Sequence, residues 1–271
     1  MSARGPWPLQ VTDVARLSPS LLRVELAGED GVLAGFAGDR AGAHIKIFLP
    51  QPGETAPALP EFTPSGPRWP QSRPRAIART YSVRYFDTQR QRLYVDFVLH
   101  GDDGPASAWA RRARVGDTIG VAGPGGPSPM LAPVDRVLLA GDITALPAIA
   151  ALLESLPAQV SGHAIVQLPA DADRPELDYA ASVTIDWLRA PHVDHADTPM
   201  VHALKALTPP AESVAAWVAG ENASVLAMRA HLRDVWQLPR RQIYAVPYWK
   251  ARASEEAYHA ERHRVMDNFD S

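Results

Sequence analysis

The chain has 271 residues, a formal net charge of −3, 46% hydrophobic residues and no cysteine. This length suits two modest domains or one large one, and the charge gives no footprint for nucleic acid. The lack of cysteine excludes disulfides, thiolate metal sites, cysteine-held Fe–S clusters and thiol catalysis.

The first ten residues carry no apolar signal-type core, and no run of about 18 apolar residues follows, so a soluble, cytoplasmic chain with no membrane partner is expected. Strands are predicted over 10–14 and 21–26, separated by a Ser18-Pro19-Ser20 turn. A third covers 44–49, with Ile45, Ile47 and Leu49 on one face and His44, Lys46 and Phe48 on the other. Lys46 is either a solvated outward charge or part of a cleft. Residues 50–74 are rich in Pro and Gly and show no periodicity; a loop this long is either functional or disordered.

Strands follow at 79–86 and 92–99, joined by the turn Asp87-Thr88-Gln89-Arg90. In the first, Arg79 and Tyr81 share a face and Ser82 takes the other. Guanidinium, phenol ring and hydroxyl then offer a phosphate partner, a flat platform and a polar edge, the needs of a flavin nucleotide. An ordinary exposed strand is the competing reading. Gly104-Pro105 opens a helix through Arg112, with Pro105 in the first turn and small residues Ala106, Ser107 and Ala108 behind it. Its first N–H groups form either an anion site or a plain helix start. A strand at 117–122 completes the half. Short strands without helical period up to about residue 105 predict a small antiparallel barrel. The domain boundary is placed within 124–134, giving domains 1–128 and 134–271.

The second half alternates: strands at 136–140, 162–168, 182–188, 214–219 and 242–247, and helices at 144–156, 199–207, 222–235 and 254–266. This predicts an α/β unit with an open, mostly parallel sheet, whose ligands gather at the carboxyl ends of the strands. Two such ends are Ala140-Gly141-Asp142 and Ala219-Gly220-Glu221; taken singly, each acid is read as a helix cap. No GxGxxG follows the first strand, and no metal cluster, Walker loop or Gly-x-Ser-x-Gly elbow is present. His192 and His195 lie in a polar loop without a carboxylate arrangement.

A barrel followed by an α/β half, with Arg79-Thr80-Tyr81-Ser82 on a barrel strand, resembles the ferredoxin–NADP reductase superfamily. The finer resemblance is to the siderophore-interacting protein family, the flavin-dependent ferric-siderophore reductases. It is carried by His44-Ile45-Lys46-Ile47, by Arg79 to Arg84, and by Asp96-Phe97-Val98-Leu99-His100-Gly101 running into Gly104-Pro105-Ala106-Ser107 and Trp109. In the second half it is carried by Ala140-Gly141-Asp142-Ile143-Thr144-Ala145-Leu146-Pro147-Ala148-Ile149, Ala219-Gly220-Glu221-Asn222-Ala223 and Tyr248-Trp249-Lys250.

The resemblance implies non-covalent FAD, with Arg79 at a flavin phosphate, Tyr81 on the isoalloxazine and Ser82 near its reactive edge, beside Thr80. It implies Asp96, Val98 and His100 along the ribityl or adenosine side, Gly104, Ala106 and Ser107 at the pyrophosphate, and Asp142 and Thr144 near the flavin edge or adenine. For an anionic ferric siderophore it implies a basic pocket, to which Lys46 corresponds; Lys250 and Arg252 lie in the stretch supplying another cation. The chain departs from the family at Gly125, where an arginine is frequent, and at Pro247-Tyr248-Trp249-Lys250, where Lys keeps the charge of Arg but not its fork.

The expected activity is cytoplasmic release of iron as Fe(II), by a monomer. The donor is NADPH, NADH or a reduced ferredoxin; Arg174 would suit a 2′-phosphate, though Asp171 and Asp173 would repel it. The alternatives are a general NAD(P)H-dependent flavin or ferric-chelate reductase, and a siderophore-binding module with a structural flavin. Tyr258 and His259 in the final helix either pack over the donor site or cap the sheet.

Overall fold

The computed structural model describes residues 5–29, 31–34, 36, 40–100, 104–190, 198–253, 257–258 and 261. The chain divides into two compact units, Met1–Pro127 and Ser128–Ser271.

The first unit is built on one seven-stranded antiparallel sheet: β1 (Trp7–Ser18), β2 (Leu21–Ala27), β3 (His44–Leu49), β6 (Ile77–Ser82), β7 (Tyr85–Asp87), β8 (Arg92–Val98) and β9 (Thr118–Gly125), with β4 (Glu61–Thr63) and β5 (Gly66–Arg68) forming a separate hairpin. The order across the sheet is β6-β3-β9-β1-β2-β8-β7. Its two edge strands, β6 and β7, are separated in sequence only by Val83 and Arg84. At that bend Val83 N–H still donates to Ala43 on the β3 side, whereas Arg84 N–H donates to Tyr94 of β8. The chain thus changes partners in one residue and curls the sheet into a barrel. The continuous strand expected over 79–86 is broken here because Ser82 and Val83 are both buried, which interrupts the period of two. Leu9, Val11, Val24, Leu26, Ile45, Ile47, Leu93, Val95, Phe97, Ile119 and Val121 alternate inward and fill the core. The short helix α1 (Pro105–Ala110) follows β8.

Residues 50–76 are a packed arm. Leu59 and Trp69 lie against Phe48, Ala76, Ala78 and Ala122 on the outer surface of the barrel. This explains why Phe48, on the outward face of β3, is 4% exposed. The arm needs room, and Gly120 supplies it: a Cβ there would come within 2.1 Å of Leu59 Cδ2. The base is tied by Gln51 Nε2 donating to the Arg75 carbonyl (2.7 Å) and by Arg73 donating to the Ala56 carbonyl (2.6 Å).

The second unit has a five-stranded parallel sheet of β10 (Arg136–Asp142), β11 (Ser161–Leu168), β12 (Ser182–Arg189), β13 (Val214–Glu221) and β14 (Ile243–Trp249), in the order β12-β11-β10-β13-β14. Strand order therefore reverses at β10, beside β13. Helices α2 (Leu146–Ser155), α3 (Pro199–Ala206) and α4 (Asn222–Asp234) connect the strands. The apolar run in β10 and all eight residues of β13 are buried, as a sheet covered on both faces requires. The expected final helix, 254–266, lies largely outside the described residues; positions 257, 258 and 261 are helical, and His259, His192 and His195 fall outside them too.

Candidate functional site

In the first unit the site is the seam where the barrel sheet turns back on itself. β6 is hydrogen-bonded to β3 in the register Ile47↔Arg79, Lys46↔Thr80, Ile45↔Tyr81 and His44↔Ser82. Directly opposed residues share a face. Arg79 and Tyr81 therefore lie with the core residues Ile47 and Ile45, while Thr80 and Ser82 lie with Lys46 and His44 on the outer face.

The Tyr81 ring sits 4.5 Å from that of Phe97 on β8, tilted by 40°, and Phe97 sits 5.3 Å from Trp109 on α1. Phe97 is fully buried, while Tyr81 and Trp109 are half-buried. A tyrosine ring is thus braced from beneath and keeps surface on its other side, which suits a flat ring system. Arg79, half-buried, donates from one guanidinium nitrogen to the Ala78 carbonyl (2.8 Å). Lys46 Nζ donates to Thr80 Oγ1 (2.6 Å), and the Ser82 side is 6% exposed.

The segment after β8 is held closely. Val98 is 8% exposed, and His100 N–H donates to the buried Ser107 hydroxyl at 3.1 Å. The His100 imidazole lies on Gly104, where a Cβ would approach Cε1 to 2.5 Å. Gly104 is the N-cap of α1 and, having no side chain, makes no cap hydrogen bond to the first turn, where Ala106 and Ser107 stand. Half-exposed aromatic platform, guanidinium and uncapped helix start make a donor set that fits a dinucleotide such as FAD.

Asp96 is 5% exposed, and its two oxygens accept from Arg23 at 2.7 and 2.8 Å, with Arg84 at 3.7 Å. Any contact to the ribityl side has to share oxygens already held by two arginines. Sequence reasoning gave no role to Arg23 and named Arg84 only as the end of the Arg79–Arg84 stretch; the structure sets Arg23 directly opposite Asp96 across β2 and β8.

In the second unit, Asp142 ties three strand ends together. Its Oδ1 accepts from Thr144 N–H (2.8 Å) and the Thr144 hydroxyl (2.5 Å); its Oδ2 accepts from Glu221 N–H and Trp249 Nε1, both at 2.9 Å. Gly220, at φ +136°, leaves the space, since a Cβ there would lie 2.6 Å from Oδ2. The helix-cap reading of Asp142 is therefore corrected: α2 begins two residues later than expected, and its N-cap is Ala145 with no side-chain cap. Glu221 does cap α4, accepting from Ala223 and Ser224 N–H at 2.5 and 3.2 Å. Tyr258 donates to Asn222 Oδ1 (2.7 Å) at the same helix start.

Lys250 donates to both oxygens of Glu261, at 2.7 and 2.8 Å. Arg252 stands in a turn with φ +61°. Arg174 lies over the Trp187 ring at 5.2 Å, and Asp173 beside it is 1% exposed. Among the described residues, no group of three or more histidines, aspartates and glutamates is gathered as a metal site, and no helix is long and apolar enough to cross a membrane.

Known proteins share both halves. Residues 10–128 match the siderophore-interacting FAD-binding domain, and residues 134–252 match the siderophore-interacting protein model. The ferric vibriobactin reductase ViuB of Vibrio cholerae is 42% identical over 254 residues, 93% of this chain and 92% of that protein. The NADPH-dependent ferric-chelate reductase of Escherichia coli is 32% identical over 249 residues, 90% of this chain and 92% of that protein. Among solved structures, the siderophore-interacting protein SipS from Aeromonas hydrophila superposes with a TM-score of 0.81 at 38% identity, covering 96% of this chain and 97% of that one. A ferredoxin reductase of carbazole 1,9a-dioxygenase, 16% identical with a TM-score of 0.61 over 89% of this chain and 68% of that one, shares the fold. The chain belongs to the siderophore-interacting protein family, FAD-dependent oxidoreductases with a ferredoxin-reductase-like fold.

Proposed function

We propose that this chain reduces ferric siderophores and so releases their iron as Fe(II) in the cytoplasm, with NADPH as the donor. The braced Tyr81 ring with Arg79 on the same strand is the observation that carries the reading. The names of the Vibrio and E. coli relatives support both the substrate class and the donor. Bound FAD converts a two-electron hydride donor into a source of single electrons, which Fe(III) requires.

The chain's own residues supply position and field. Arg79 holds the diphosphate, with the start of α1 at Gly104, Ala106 and Ser107 beside it, and Tyr81 carries the ring system. Val98 and His100 line the platform from the end of β8, Thr80 and Ser82 flank it from the outer face of β6 beside Lys46, and Asp96 stiffens its far wall through Arg23 and Arg84. In the second unit Asp142 and Thr144 fix the strand ends that receive the donor. Lys46, Lys250 and Arg252 attract the anionic ferric complex, and at Lys250 the complex competes with Glu261. No general acid or base is needed. Iron leaves because oxygen donors hold Fe(III) far better than Fe(II). The chain works as a monomer, and reduced ferredoxin is the alternative donor.

The test is steady-state turnover: NADPH oxidation and appearance of a trapped Fe(II) chelate in the presence of a ferric siderophore. Fe(II) appearing at about twice the rate of NADPH oxidation, with both rates falling in Tyr81→Ala with loss of bound flavin, is expected. Flavin-loaded protein that binds the complex but produces no Fe(II) with any donor would leave a binding module and end the reductase reading.

A further inference from the structure

We propose that the arm of residues 50–76 is part of the substrate site, with Arg75 a docking cation that favours anionic over uncharged ferric complexes. The proposal rests on the reductase reading and assigns a role to a segment that reading leaves idle.

Three observations carry it. First, the arm is seated, not loose. Leu59 fills the space left by Gly120, and Trp69 meets Phe48 edge-on at 6.0 Å. Second, the seat adjoins Lys46. Phe48 and Lys46 are alternate residues on the outer face of β3, about 7 Å apart along the strand. Their partners on β6, Ala78 and Thr80, continue the same surface. Third, the arm's arginines are treated differently. Arg68 is paired with Glu61 and Arg73 with Glu54. Arg75 is exposed and makes no ion pair among the described residues; its guanidinium is held over the Trp69 ring at 5.7 Å.

A guanidinium steadied on an aromatic face keeps its charge and its donors, and loses less rotamer entropy on meeting an anion. Pairing Arg68 and Arg73 within the arm leaves Arg75 as the arm's cation without an ion pair among the described residues, stacked on the Trp69 that packs against Phe48, two residues from Lys46 on β3. A hexadentate tris-catecholate of Fe(III) is trianionic, whereas a tris-hydroxamate is uncharged at the metal. A cation held on the arm therefore discriminates between them.

The experiment is calorimetric titration of the oxidised, FAD-loaded protein with each complex at low ionic strength, for wild type, Arg75→Gln and Arg68→Gln. Arg75→Gln is expected to weaken the tris-catecholate about fivefold, to leave the tris-hydroxamate unchanged, and to lose its effect as salt rises. Arg68→Gln, which removes a charge already neutralised, is expected to match wild type. Equal affinities of wild type and Arg75→Gln for the tris-catecholate would overturn the proposal while leaving the reductase reading intact. An equal loss for both complexes, or for both variants, would also overturn it. If wild type binds neither complex, the substrate reading fails first and the role of the arm falls with it.

Discussion

Replacing Asp142 with asparagine separates a carboxylate needed for its oxygens from one that merely fills space. The side chain is 2% exposed and accepts four hydrogen bonds, two on each oxygen. An amide has the same shape but only one acceptor. With its oxygen toward Thr144, the new NH2 faces the Glu221 N–H and the Trp249 indole, two donors against donors. Flipped, it faces the Thr144 N–H instead. Leaving the Glu221 N–H buried without an acceptor costs about 1–3 kcal/mol, and the partly buried Trp249 adds less, so a loss of about 2–4 kcal/mol is expected. For a unit of this size that is a fall in Tm of about 5–15 °C. Asp142→Ala should cost more than Asp142→Asn, because it orphans the Thr144 N–H as well as the donors of Glu221 and Trp249. The assay is urea unfolding followed by Trp fluorescence and far-UV circular dichroism, with agreement of the two probes required before one free energy is quoted. Asp142→Asn within about 0.5 kcal/mol of wild type would refute the four-donor account.

Asp96→Ala should destabilise the barrel by about 3–5 kcal/mol, because it removes the buried carboxylate that Arg23 and Arg84 share; a double-mutant cycle with Arg84→Met should recover part of that loss in chemical denaturation. Tyr81→Ala should weaken FAD about tenfold by removing the platform, and Arg79→Lys should also weaken it by losing the planar fork, both read by flavin fluorescence on dilution. Burial, reinforced by the cation of Lys205, holds the His231 imidazole below its ordinary 6.5. The folded state thus favours the neutral ring, and the stability this contributes is complete above about pH 6.5 and lost as pH falls through the lowered value. Urea midpoints measured between about pH 5 and 7.5 should therefore fall on acidification, and His231→Gln should flatten that fall.

Strand-by-strand patterning made the architecture legible. The alternation of Leu93, Val95 and Phe97 and the unbroken apolar run of β10 reflect one-sided and two-sided burial, which the chain cannot disguise. The shared face of Arg79 and Tyr81 was legible too, since they sit two apart on one strand, and the structure places them on the face of Ile47 and Ile45. Long-range choices were not. Nothing local marks Val83-Arg84 as the point where the chain leaves β3 for β8, because the partners lie in distant strands. Phe48 on an outward face was a visible anomaly, but its cover, Leu59 and Trp69, lies in a stretch whose prolines and glycines erase any period. Asp142 read as a helix cap because capping is a local motif, whereas its partners Glu221 and Trp249 are 79 and 107 residues away. Lys250 read as a docking cation; its pairing with Glu261 follows from a turn of chain that the pattern does not resolve.

The most direct test of the central claim is a single-turnover experiment without oxygen. FAD-loaded protein is reduced with one equivalent of NADPH and mixed with a ferric siderophore and a ferrous chelator. The account predicts return of the oxidised flavin spectrum together with ~2 trapped Fe(II) per flavin, as a two-electron cofactor feeding a one-electron acceptor requires. Flavin that stays reduced while the ferric complex remains bound and intact would contradict it.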